Sequence, residues 1–129
     1  MPTTVSTYYA DELTDWSRLI NDHNEELVEF DERLEEVIRR NSIVDIARKV
    51  ASQKTRLMHI SAKFYNLQLE IQQQEAVLMT DSTPVDDRTI SIETEKKQNE
   101  LRHNMQAAEK EYIDVKFDCY HFLSGILKK

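Results

Sequence analysis

The stretch IVDIARKVASQKTRLMHISAKFYNLQLEIQQQEAVLM, residues 43–79, decides the fold. Ile43, Ile46, Val50, Leu57, Ile60, Phe64, Leu67, Ile71 and Leu78 recur in it at steps of three and four, with Gln53 and Gln74 filling the two gaps. That spacing lays every one of these side chains along one side of an α-helix. A strand alternates with period two and would scatter them over both faces.

The same spacing lies on either side of this stretch. Before it run Tyr9, Leu13, Trp16, Ile20, His23, Leu27, Phe30, Leu34 and Val37. After it run Leu101, Met105, Ala108, Tyr112, Val115, Cys119, Phe122 and Ile126. Three helices with one apolar stripe each bury those stripes by packing together. The expectation is an all-α, up-down-up antiparallel three-helix bundle with coiled-coil-like packing. The architecture is similar to that of spectrin-type repeats, which are also three-helix coiled coils with a Trp in the first helix; Trp16 stands on such a stripe here.

Punctuation sets the expected boundaries. Residues 1–10 read as a flexible tail and 11–127 as the bundle, with helices at about 11–40, 43–79 and 84–124. Arg39 and Arg40 close the first helix in the sense its dipole favours. Asn41-Ser42 is the first break, and Ser42 with Asp45 three residues on makes a capping-box pattern. Thr83 as N-cap, Pro84 at N1 and Asp86 at N3 form a start signal for the third helix. Residues 86–100 are weakly periodic and read as its soft beginning. Gly125 fits a C′ position after its last turn.

Composition narrows the class. In 129 residues there are one Gly and two Pro, against ordinary usage of roughly 7% and 5%, so few turns are expected. The net charge of −7 argues against a nucleic-acid binder, which needs excess Lys and Arg facing phosphates. Eleven acids and two arginines lie between Asp11 and Glu36, whereas Arg48, Lys49, Lys54, Arg56 and Lys63 lie between Ile46 and Leu69 with no acid. The simplest reading sets the first two helices antiparallel with these charges facing. No apolar run approaches the ~20 residues of a membrane span. Met1 to Tyr9 has neither the basic nor the apolar region of a signal peptide. One Cys makes no internal disulfide, and on the stripe it reads as a buried inert thiol. A cytoplasmic location is expected.

Chemistry is sparse. Glu100 and His103 form a Glu-x-x-His pair, the unit of ferritin-like di-iron bundles, and Asp118 with His121 is the nearest second pair. The alternative reading is therefore a ferritin-like metal-binding bundle enzyme using Glu100, His103 and acids of the first helix. Both pairs lie off the core stripe, where a surface pair is the ordinary outcome. No phosphate loop, nucleophile elbow or zinc spacing is present. The chain is read as a non-enzyme with no cofactor, no metal and no evident small-molecule substrate. His23 sits in the seam itself and reads as a polar position that fixes register.

The functional signal is a second apolar stripe, one residue beyond the core stripe. It runs Met58, Ala62, Tyr65, Leu69, Ala76 and Met79 on the second helix and Ile113, Phe117, Tyr120 and Leu127 on the third. Part of it widens the core face. The excess, carried by Met58, Tyr65, Leu69, Ile113, Phe117 and Tyr120, reads as one surface shared by helices 2 and 3. The expected function is a protein-protein interaction or scaffold module, with a homodimer or a partner helix docked there and neither nucleic acid nor membrane as partner.

Overall fold

Each stripe becomes the buried side of one helix. The computed structural model describes residues 4–40, 43–80 and 83–127, and the side chains of all of these except residues 80 and 127. Helix α1 spans Val5–Arg40, α2 spans Val44–Leu78 and α3 spans Ile92–Leu127. Cross-links give the directions. Lys54 of α2 reaches Asp31 and Glu35 of α1, while Gln68 reaches Ser17, so α1 and α2 run antiparallel. Arg56 meets Asp118 and Lys97 meets Glu70, so α2 and α3 also run antiparallel. Arg102 meets Glu12 and Lys116 meets Glu26, so α3 lies parallel to α1. This is an up-down-up three-helix bundle. No described helix is long and apolar enough to cross a membrane.

The core contains Leu13, Ile20, Leu27, Phe30, Leu34 and Val37 from α1, Val50, Leu57, Ile60, Phe64, Leu67, Ile71 and Leu78 from α2, and Leu101, Met105, Ala108, Tyr112, Val115 and Cys119 from α3. All stand on the quoted stripes. Near the end of α3 the seam turns onto Leu123, leaving Phe122 and Ile126 half-buried. A straight helix drifts ~20° per heptad against a strict seven-residue repeat, which carries the buried arc onto the next residue. Halfway along, the three stripes meet in an aromatic layer. His23 stacks on Tyr112 at 4.1 Å between centroids, and Phe64 lies 5.5 Å from His23 and 5.9 Å from Tyr112. His23 Nε2 pairs with Glu109 at 3.2 Å, but Nδ1 is buried with no hydrogen-bond partner among the described residues. The Tyr112 hydroxyl donates to Glu26 at 2.5 Å.

Several boundaries depart from expectation. The flexible tail expected over 1–10 is helical from Val5 onward, because α1 is held from outside. The Thr4 hydroxyl accepts from the Thr7 amide at 3.1 Å, as an N-cap does. The Asp87 carboxylate accepts from the amides of Val5 at 3.2 Å and Ser6 at 3.1 Å, and the Ser6 hydroxyl donates to the Val85 carbonyl at 2.5 Å. A carboxylate at a helix N-terminus also suits the dipole.

The third helix does not start at 84. Met79–Thr80 and Thr83–Pro84 pair as a short antiparallel ladder, β1 and β2, and Val85 donates to the Leu78 carbonyl at 2.8 Å. A 3-10 turn over Asp87–Thr89 follows, and Ser91 supplies the cap by accepting from the Thr94 amide at 3.1 Å. From Ile92 the helix is regular, and residues 92–100 carry its seam in polar form. Thr94 and Gln98 are buried there, opposite Gln74. Gln74 donates to the Thr94 carbonyl at 2.9 Å and to Gln98 Oε1 at 3.1 Å. Gln98 donates in turn to the Tyr9 carbonyl at 3.1 Å and to Glu12 at 3.0 Å, where Arg102 closes the chain at 2.6–2.8 Å. One polar layer thereby ties all three helices with its donors satisfied. Gly125 is helical, two residues before the end of α3, and is not a C′ residue. The Ser42 cap lies outside the described residues; Ile43 precedes α2 without a side-chain cap bond.

Candidate interaction surfaces

The basic stretch of α2 faces both neighbours. Lys54 goes to the acids of α1, whereas Arg56 and Lys63 go to Asp118 and Glu111 of α3, with His59 also 3.6 Å from Glu111. Ion pairs therefore occupy the α3-facing flank of α2. The second apolar stripe lies on its other flank, toward α1. Met58 is 70% exposed and Tyr65 65% exposed, far from core values. Together with Ala62 they line an open hollow of about 720 Å³ between α1 and α2, walled on the α1 side by Asn24, Val28 and Asp31 and floored by Leu27 and Leu57. Leu69 continues the stripe one turn beyond and is 41% exposed.

On α3 the flanks are likewise taken. Glu111 and Asp118 turn to α2, while Glu109, Tyr112 and Lys116 turn to His23 and Glu26 of α1. Ile113, Phe117 and Tyr120 occupy the remaining outward arc and are about half exposed. The single surface anticipated between helices 2 and 3 is thus divided. The six residues are brought to the surface as expected, but Met58, Tyr65 and Leu69 open toward α1, and Ile113, Phe117 and Tyr120 point away from the bundle. The missed contributor is Val28, 57% exposed on the α1 wall. Nothing in α1 repeats with it, so only the closeness of α1 to α2 reveals its place.

The residues with catalytic or metal-binding chemistry remain scattered. Glu100 and His103 stay on the outer face of α3, beside Lys96, Asn99 and Asn104. Asp118 is engaged by Arg56, and His121 is exposed. Among the described residues no group of three or more His, Cys, Asp or Glu comes together in a way that could hold a metal ion. Cys119 is fully buried, and burial pushes its thiol up to about 11, away from the thiolate form a nucleophile needs. Burial alone would push the Glu12 carboxyl up. The hydrogen bonds from Arg102 and Gln98 outweigh it and hold this carboxyl below its ordinary 4.5. Glu26 is lowered likewise, by Lys116 first and then by Tyr112.

No protein-family model, curated protein or solved structure matches this chain.

Proposed function

We propose that this protein is a protein-protein interaction or scaffold module. In this reading it works by binding and not by catalysis, and it operates in a reducing cytoplasm. The observation that carries the proposal is the exposure of Met58, Tyr65, Ile113, Phe117 and Tyr120 on a bundle whose core is already filled without them. Single exposed apolar residues are ordinary, but large ones repeated at helical spacing mark surfaces that another chain covers. Aromatic residues and Met are the types enriched where partners meet.

Site-specific photo-crosslinking in cells tests it. A photoreactive residue at Tyr65 or at Phe117 is expected to give discrete adducts, to another protein or to a second copy. The same residue at exposed Asn99, about 21 Å along α3 from Ile113, is expected to give none. Equal crosslinking at all three positions, or none at any, refutes the interaction reading.

A further inference from the structure

We infer, building on the interaction reading, that the hollow between α1 and α2 receives the outward face of α3 from a second copy of this chain. The molecule carries both halves of such a contact. The hollow is apolar at Met58, Ala62 and Tyr65 of α2 and Val28 of α1. The α3 face presents Ile113, Phe117 and Tyr120. Both triplets step i, i+4, i+7, so each runs about 10 Å along its helix at 1.5 Å per residue. That is the anchor spacing with which a helix lies in a groove.

One charge pairing at the margins also fits, although Asp114, exposed between Ile113 and Phe117 and likewise without an ion pair among the described residues, shares the α3 face. Glu25 and Glu32 stand three before and four after Val28, on the same side of α1. Both are exposed, and neither makes an ion pair among the described residues. Lys110 stands three residues before Ile113, is exposed, and likewise makes no ion pair among the described residues. Docking α3 in the hollow therefore brings a cation to an acidic margin. The arrangement of the three helices supplies the last argument. The α1–α2 hollow lies on the side of the bundle opposite α3, and the α3 face points away from the bundle axis. One molecule cannot bring its own two surfaces together, whereas neighbouring copies can. The contact is heterologous: the hollow of one copy holds the α3 face of the next, and each added copy offers a fresh hollow and a fresh face.

This geometry has a signature that no symmetric dimer shares. Ala62→Arg fills the hollow, and Phe117→Glu places a charge on the docking face. Both positions are exposed, so the helical circular dichroism signal should match that of the wild type; Tyr120→Glu replaces Phe117→Glu if it does not. In analytical ultracentrifugation the wild type is expected to grow past two chains as concentration rises. Each variant alone is expected to remain at 15.3 kDa, with association weakened roughly a hundredfold or more. Mixed in equal amounts, the two variants should form one species of two chains and stop there, since Ala62→Arg keeps its α3 face and Phe117→Glu keeps its hollow. A variant that dimerises by itself overturns the inference in favour of a symmetric contact. A mixture that stays at one chain overturns it as well. A wild type that is monomeric at every concentration overturns the second copy as occupant, and in that case crosslinks from Tyr65 and Phe117 to a different protein still uphold the interaction reading.

Discussion

Replacing Phe64 by Ala is the sharpest test of the seam. Phe64 is fully buried and completes the aromatic layer with His23 and Tyr112. Truncating a buried Phe forfeits its transfer free energy and adds the cost of the cavity, together about 3–5 kcal/mol. The rigid rings beside it limit collapse, which keeps the loss away from the lower end, at about 4 kcal/mol. Small domains carry only about 5–15 kcal/mol in total, so this one ring holds a large share of the stability. For a chain of this size the corresponding fall in Tm is roughly 12–20 °C. The assay is urea unfolding followed by helical circular dichroism, with the slope checked so that a midpoint shift reads as stability. Val28→Ala is the control, because Val28 is 57% exposed and its truncation should stay within about 0.5 kcal/mol of the wild type. A Phe64→Ala loss below about 1 kcal/mol, or one equal to that of Val28→Ala, refutes the assignment of the seam.

Three further outcomes are expected. His23→Leu removes a buried nitrogen without a partner, a feature that costs about 1–3 kcal/mol, and gives up one bond to Glu109 worth about 1 kcal/mol; a higher urea midpoint should result, and a clear drop contradicts it. The Glu12 carboxyl is lowered in the folded state from its ordinary 4.5, so its contribution is present above that pH and is lost as pH falls through the folded value; acid unfolding should be less steep in Glu12→Gln, and an unchanged acid profile counts against the Arg102–Glu12–Gln98 network. Asp87→Ala takes the shared acceptor from Val5 and Ser6 at a cost of about 1 kcal/mol, and hydrogen exchange should quicken in the first turn of α1; unaltered exchange there means that Asp87 does not hold the helix start.

What the sequence by itself determined was everything that depends on spacing within one helix. Each stripe repeats along its own backbone, so the number of helices, most of the residues facing inward, the burial of Cys119 and the six apolar side chains left outside were legible from residue order alone, whereas the burial of Thr94, Gln98 and Leu123 and the exposure of Ile43 were not. Gln53 and Gln74 were visible as interruptions, but not the bonds that Gln74 makes to Thr94 and Gln98 on α3. Only the tertiary structure decided which flank of each helix meets which neighbour. That choice turned Met58 and Tyr65 toward α1 and left Phe117 pointing outward, because periodicity fixes a side chain's angle about its own axis and carries no information about the neighbouring axis. It also decided where α1 and α3 begin. The Thr83-Pro84 start signal gave way to a ladder and a 3-10 turn, since that segment is anchored to Val5 and Ser6, some eighty residues away in the chain. Local patterns report the hydrogen bonds a segment can make with itself, whereas these boundaries were set by partners that only folding brings near.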